Sequence, residues 1–318
     1  MNMRIAVFTE PHRGASYDDQ LRFARLAEDG GFDGFFRADH YQAMGDEPSL
    51  PGPTDAWLTL AALARETSRI RLGTLVTSAT FRLPGPLAVM VAQVDQMSGG
   101  RVELGIGAGW YAREHLSYGI PFPGTSERFD RLAEQLEVIT GLWRTPSGGT
   151  YSYTGEHYRL TDAPALPKPV QQPGPPVIVG GRGAKRTPEL AARYADEFNV
   201  PFTGIAQTGE AYERAREASE RVGRAESGRA PLRLSAGIVA AIGRTDAEAH
   251  RRAAPLHAKS ALPPEAPVVG SPQQLLDRIG EFAQIGTERV HLRLTDLTDL
   301  DHLELIAAEV LPQLDGIR

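Results

Sequence analysis

The chain has 318 residues, 41% hydrophobic and 23% charged, with a formal net charge of -6 and no cysteine. This composition suits a globular core without disulfides. It excludes Cys-based zinc sites and thiol nucleophiles, and it offers no basic surface for nucleic acid. No apolar run is long enough to span a bilayer, and MNMRIAVFTEP reads as a strand and turn instead of a charged leader. The expectation is a soluble, unprocessed, cytoplasmic protein.

Arg4 to Thr9 is the first apolar run, the pattern of a strand buried on both faces. Ser16 and Asp19 form a capping-box pattern for the helix that follows, and Gly30 and Gly31 end it. The second strand is read from Gly34 to Asp39, with His40 directly after it. A Gly- and Pro-rich loop from Gly45 to Pro53 leads to Thr54, taken as the N-cap of the next helix. Arg71 to Thr77, an amphipathic stretch, and Arg101 to Trp110 make a strand–helix–strand unit, which implies a parallel pair. A long helix follows Ser126. Residues 145–176 then break the rhythm with a hairpin around Thr154–Gly155 and a proline-rich stretch, a surface excursion of the kind that often forms lids or binding loops. Further strands are read at Val177 to Val179, Asp196 to Val200, Leu232 to Ile242 and Arg289 to Leu294. Ser271 caps a helix that Gly286 closes, and Leu300 to Leu314 is the last helix.

Eight apolar runs thus alternate with about eight helices, with no internal repeat and no linker. The prediction is one α/β domain over 1–318, a (β/α)8 TIM barrel with an insertion at 145–176. A doubly wound open sheet is the alternative.

In a barrel, chemistry gathers where strands end. The candidates are Thr9 and Glu10, Asp39 and His40, Leu75 to Ser78, Gly107 to Trp110, Gly180 to Arg186, Asn199 and Asp296. An imidazole at a strand end suits acid–base work near neutral pH, and Asp39 would orient it or touch a cofactor; a plain strand-end cap is the other reading. No G-x-S-x-G elbow is present. Gly105-Ile-Gly107-Ala-Gly109 is a weak dinucleotide signal, read as backbone passing close to a ligand, with a tight turn at the barrel top as the other reading. Gly180 to Arg186, glycines and cations before a helix, is the best phosphate candidate. His12, His115, His157, His250, His257, His291 and His302 show no metal-ligand spacing and are read as structural or surface residues, with no metal expected.

FFRADH (35–40), PGPTDAWLTLAALARETSRIRLGTLVT (51–77), FRLPGPLA (81–88), VDQMSGGRVELGIGAGW (94–110), ERFDRLAEQLEVI (127–139) and VGGRGAKRTPELAARYADEFN (179–199), in this order and spacing, resemble the luciferase-like monooxygenase superfamily. Within it they resemble the branch that uses the deazaflavin coenzyme F420. The resemblance implies a barrel with an insertion beside the site and a non-prolyl cis peptide at Leu75–Val76 pressing on the coenzyme ring. It implies that His40 donates a proton to substrate and that Asp39 contacts the ring. Ser78, Ala108 and Gly109 would line the coenzyme tail, with Arg113 near its polar end, and Gly180, Gly181, Arg182, Gly183 and Lys185 would bind its phosphate. Phe8, Trp110, Tyr111 and residues of the insertion would form the pocket for a small-molecule substrate, and a homodimer is the habit of the family. Sugar-phosphate dehydrogenases of this branch carry a glutamate acid where this chain has Trp110, so the implied reaction is reduction of an activated C=C, C=N or C=O. The alternatives are an FMN-dependent monooxygenase and a coenzyme-binding barrel without turnover.

Overall fold

Eight runs of inward- and outward-buried residues become strands because each is too short and too β-branched or glycine-rich to hold a helix. They are β1 (Arg4–Thr9), β2 (Gly34–Arg37), β3 (Arg71–Thr74), β4 (Val102–Gly107), β5 (Val177–Gly180), β6 (Glu197–Val200), β7 (Arg233–Ile242) and β8 (Arg289–Leu294). In the computed structural model, which describes residues 3–44, 49–257, 263, 266–294 and 296–316, every neighbouring pair is parallel and β8 returns to β1. The sheet is therefore a closed barrel, and the open doubly wound alternative is excluded. Residues 45–48 of the loop expected before Pro53, and the side chain of His257, lie outside the described residues.

The helices α1 (Tyr17–Asp29), α2 (Ala56–Glu66), α3 (Pro84–Ser98), α4 (Thr125–Arg144), α5 (Arg186–Tyr194), α6 (Ile205–Arg221), α7 (Pro272–Gln284) and α8 (Leu300–Glu309) surround it. Both capping boxes form, Ser16 with Asp19 and Ser271 with Gln274. At α2 the expectation is corrected by one residue. Asp55 is the N-cap, accepting from the N–H groups of Trp57 and Leu58 at 2.9 and 3.0 Å. Thr54 serves the buried Arg37 instead, through its hydroxyl at 2.9 Å and its carbonyl at 2.7 Å. Strand β2 stops at Arg37, so Asp39 and His40 stand on the loop above it. A short strand at Pro267–Gly270 beside β7, and a helix at Asp246–His257 before it, are additions to the predicted set.

The insertion is moored to the outside of the barrel. Its hairpin pairs Tyr151–Thr154 with Arg159–Ala163. The Glu134 carboxylate of α4 accepts from the N–H groups of Glu156, His157 and Tyr158 at 2.8 to 3.2 Å. Further along, Lys168 Nζ donates to the Leu142 carbonyl at 2.8 Å, and Gln171 Nε2 donates to Asp95 of α3 at 2.7 Å and to the carbonyl of Val102 at 2.8 Å. These partners lie on α3, α4 and the entry of β4, while the Tyr158 hydroxyl accepts from Gln135 Nε2 of α4 at 2.9 Å. Gln135 also donates to the Ala79 carbonyl, so the hairpin is joined through it to the segment that follows Val76.

Close packing on the β3–β5 side sets the shape of the upper barrel. Leu75–Val76 is a non-prolyl cis peptide, as the resemblance implied. The Val76 side chain occupies the space that three glycines leave. A Cβ on Gly107 would lie 2.9 Å from Val76 Cγ2, and one on Gly180 would lie 3.1 Å from Cγ1. A Cβ on Gly105 would meet the Thr74 carbonyl oxygen at 2.0 Å. The glycines of the GIGAG run thus give Gly105 and Gly107 to packing.

Two outcomes follow for stability. Gly105→Ala forces backbone on backbone and lowers the urea midpoint by the equivalent of at least about 1–3 kcal/mol, the usual range for overpacking. Gly280→Ala, inside α7 with nothing within 4 Å of the added carbon, raises it slightly through helix propensity. The second outcome concerns His302. It is fully buried, its Nε2 accepts from the Ile242 N–H at 2.9 Å, and burial pushes its pKa down to about 4. The unfolded chain takes up that proton near pH 6.5 and the folded chain only near 4, so this contribution to stability is present above 6.5 and is lost as pH falls between those values. Denaturant titrations from pH 7 to 4 will show wild type losing roughly 3 kcal/mol more than His302→Gln, which keeps an acceptor without the titration.

Candidate active site

The loop above β2 and a six-residue helix after β4 (Ala112–Ser117) meet at the barrel mouth. Glu114 of that helix is 1% exposed. Its carboxylate lies 2.8 Å from His40 Nδ1 and accepts from the Tyr41 N–H at 2.9 Å. His40 itself is only partly buried, with 16% of its side chain exposed. Trp110 and Tyr111 stand edge-on to its ring at 6.0 and 6.5 Å, and Trp110 is 65% exposed. His40 and two of the three expected pocket residues are thus brought together. Phe8 lies deeper: it is 3% exposed, packs against Phe202 at 5.5 Å, and belongs with Phe36, Ala38 and Ile178 to the apolar cluster beneath Leu75.

His12, read from the sequence as structural or surface, lies directly behind His40 with ring centroids 5.0 Å apart. It has no exposed surface, and neither ring nitrogen has a hydrogen-bond partner. Burial first, then the nearby His40, Arg13, Arg37 and Arg293, hold its pKa well below the ordinary histidine value. It is therefore a neutral imidazole at neutral pH.

Asp39 is 1% exposed and already has protein partners. Thr77 Oγ1 donates to it, and Arg82 forms an ion pair with it. Arg82 also donates to Asp55 at 2.6 Å and to the Tyr41 hydroxyl at 3.1 Å. Burial alone would weaken the Arg82 guanidinium, but Asp39 more than offsets it and the charge is kept. Burial, together with the Asp39 and Asp55 carboxylates, pushes the Tyr41 phenol above its usual range. This network over-determines the loop that carries His40.

On the other side of the mouth, Ser78, Thr80 and His115 form a chain of hydrogen bonds. Ser78 Oγ to Thr80 Oγ1 is 2.6 Å, Thr80 Oγ1 to His115 Nε2 is 2.5 Å, and His115 Nδ1 to the Tyr111 carbonyl is 2.8 Å. A carbonyl only accepts, so Nδ1 carries the hydrogen, and in the neutral ring Nε2 accepts from Thr80. Thr80 must then accept from Ser78, which leaves the Ser78 oxygen as an acceptor toward any ligand. Gly109, at φ 81°, passes so close to Ser78 that a Cβ would lie 2.3 Å from its Oγ. Ala108 is half-buried beside it and Arg113 is exposed.

The Gly180–Lys185 loop joins this wall where Gly180 touches Val76. The Gly181 N–H donates to the Asn199 carbonyl at 3.0 Å, and Arg182, Gly183, Ala184 and Lys185 are exposed at the start of α5. Arg186 is turned away, donating to Ser126 and Asp130 of α4 at 3.0 and 2.5 Å. The remaining strand-end candidates serve other partners. Asn199 donates to Ser235 inside the barrel at 2.9 Å, Asp296 caps its own turn through Thr298 at 2.7 Å, and Glu10 pairs with Arg13 and Arg293 at 2.9 and 2.6 Å. Thr9 Oγ1 donates to the Phe36 carbonyl at 3.3 Å.

Glu114, Arg82 and His12 are the residues that sequence reasoning missed. A lone arginine in the apolar run FRLPGPL was a signal. The other two show themselves only through partners 28 and 74 positions away in His40. A cleft of about 360 Å3 lies elsewhere, among Trp143, Gln171, Gln172, Tyr194, Asp196 and Arg229. Arg229 there is spent on the terminal carbonyls of α5, at 2.9 and 3.1 Å, so the mouth, with His40 and its partners, is the better candidate. Among the described residues no helix is long and apolar enough to cross a membrane.

Known proteins resemble the chain in sequence and in fold. Over 183 residues the chain is 37% identical to the F420-dependent glucose-6-phosphate dehydrogenase of Microbacterium testaceum, which covers 57% of this chain and 52% of that protein. Over 187 residues it is 31% identical to the oxygenase component of the flavin-dependent trigonelline monooxygenase of Acinetobacter baylyi, covering 57% and 49%. The chain thus spans about half the length of these curated relatives. The solved structure of an F420-dependent secondary alcohol dehydrogenase in complex with an F420–acetone adduct shares the fold, with a TM-score of 0.82 over 99% of both chains at 20% identity. The sequence pattern of the luciferase-like monooxygenase family matches residues 1–266, and the chain belongs to that family.

Proposed function

We propose that the protein is an F420-dependent oxidoreductase that reduces an activated C=C, C=N or C=O of a small organic substrate. The observation that carries this reading is His40, held through Nδ1 at the barrel mouth with Trp110 and Tyr111 at 6.0 and 6.5 Å from its ring. The residues present fit a tricyclic coenzyme with a phosphate tail. Leu75 and Val76 offer an apolar wall, Ser78 offers an acceptor, Gly109 gives close backbone approach, and Arg182 and Lys185 are exposed cations before a helix N-terminus. When bound, a reduced deazaflavin supplies hydride. The protein's part is to hold the acceptor carbon in place and to deliver the Nε2 proton of the doubly protonated His40 ring, whose Nδ1–H stays on Glu114, to the substrate atom that gains charge. Asp39 would meet the coenzyme only as an Arg82-paired carboxylate, and with Trp110 in place of an acid, His40 is the proton donor at this mouth.

FMN is the second reading, favoured by the likeness to the trigonelline monooxygenase. Its ring and phosphate would use the same wall and the same loop.

Fluorescence titration of the purified chain separates the two. F420 is expected to bind at least tenfold more tightly than FMN; the reverse order sinks the deazaflavin reading and directs attention to oxygen uptake. Arg182→Ala with Lys185→Ala is expected to weaken F420 binding about tenfold or more, because a charge-assisted phosphate contact contributes roughly 1.5–3 kcal/mol. With reduced F420 and an acceptor found by screening unsaturated ketones, imines and simple ketones, His40→Ala is expected to lose about 100-fold or more in turnover while still binding F420. Unchanged turnover removes His40 from the chemistry.

A further inference from the structure

We infer that Glu114 is a positioning residue that decides which ring nitrogen of His40 carries the proton, and so which nitrogen faces the substrate. The inference rests on the role of His40 proposed above.

One Glu114 oxygen lies 2.8 Å from His40 Nδ1, and the other accepts from the backbone N–H of the next residue, Tyr41, at 2.9 Å. The carboxylate therefore grips the side chain and the main chain of one loop at once. A carboxylate is an acceptor only, so the His40 nitrogen facing it must be N–H, and in the neutral ring the lone pair must sit on Nε2. The other rings around His40 do not compete for Nδ1. His12 meets it edge-on at 5.0 Å and has no hydrogen-bond partner, and Trp110 and Tyr111 are 6.0 and 6.5 Å away. The charged groups Arg13, Arg37 and Arg293 act on His12.

A residue that orients another must itself be held. Glu114 sits on a helix of only six residues, which would not hold its shape alone. Its neighbour His115 is buried and ties the helix to Thr80 at 2.5 Å and to the Tyr111 carbonyl at 2.8 Å. The Tyr111 hydroxyl donates to the Ala43 carbonyl at 3.2 Å. The β2 and β4 loops are thus stitched on both sides of the His40–Glu114 contact. This is the arrangement of a base oriented by a carboxylate, in which loss of the carboxylate acts mainly through the wrong tautomer.

The test reads the tautomer directly. Nitrogen-15 long-range correlation spectra of the full-length protein, with the His40 signals identified by their loss in His40→Ala, report which ring nitrogen is protonated. Wild type is expected to show neutral His40 in the Nδ1–H form. In Glu114→Gln only one acceptor remains. The Tyr41 N–H takes it, the amide NH2 faces Nδ1, and the His40 proton moves to Nε2. Neutral Nε2–H in wild type overturns the inference, and so does a Glu114→Gln protein with the wild-type tautomer. If Glu114→Gln does not fold, the wild-type spectrum alone still decides. These spectra need neither coenzyme nor substrate. Expected tautomers in a protein that fails to bind F420 would therefore sink the proposed function and leave the inference standing.

Discussion

Arg289 enters the barrel from β8 with no exposed surface, and carboxylates from two other strands close on it. Its Nη1 lies 2.7 Å from Glu103 of β4 and 3.0 Å from Glu197 of β6, while its Nε lies 3.0 Å from Asp33 just before β2. Burial would raise the Glu103 carboxyl, yet Arg289 and Arg71 hold it below its ordinary value, and Glu197 is likewise held down by Arg289 and His291. A buried pair of this kind adds little net stability over a well-packed apolar core, but removing one partner leaves a stranded charge and costs several kcal/mol. Its importance is geometric. One guanidinium fixes the spacing of strands on different sides of the barrel, and the upper half is built on that spacing.

The upper half repeats the theme at the loops. Arg82 stands between Asp39 and Asp55 as Arg289 stands between Glu103 and Glu197, and Arg37 beneath it is buried deeply enough that its pKa is lowered to about 10. Charges that water would otherwise solvate are paired within the protein, so the β2 loop has few alternative arrangements. His40 inherits that order. Its ring is positioned from below by Arg82 acting on Asp39, and from the side by the helix that follows β4.

Much of this could be read from the sequence, for identifiable reasons. Strands β1 to β8 announce themselves because a barrel strand buried on both faces is a short continuous apolar run. Helix ends such as Ser16 and Ser271 are local, their partners three residues away. The strand at Pro267–Gly270 was missed because only Val268 and Gly270 are buried, so it lacks the continuous apolar run of the barrel strands. Thr54 and Asp55 are both good caps, and only the distant demand of Arg37 separates them. Gly105 and Gly107 looked like ligand glycines because a missing Cβ signals close approach without naming the neighbour, which here is Val76 and the Thr74 carbonyl. His12 and Glu114 stayed hidden for a related reason. Their partner in each case is His40, on a different loop, and a contact between loops leaves no period along the chain.

The glycine wall divides the mouth into two regions with different freedom to change. Gly105, Gly107 and Gly180 have no room for a side chain. The surface beside Val76 can therefore be recontoured only at Val76 itself, and sequence drift there is blocked by sterics rather than by chemistry. Trp110, three residues beyond Gly107 and 65% exposed at the rim, has solvent on its outer side and meets no such barrier. A descendant of this protein would keep its grip on whatever lies against the wall while its rim was rewritten. Single substitutions at this rim are then reachable without passing through a misfolded barrel.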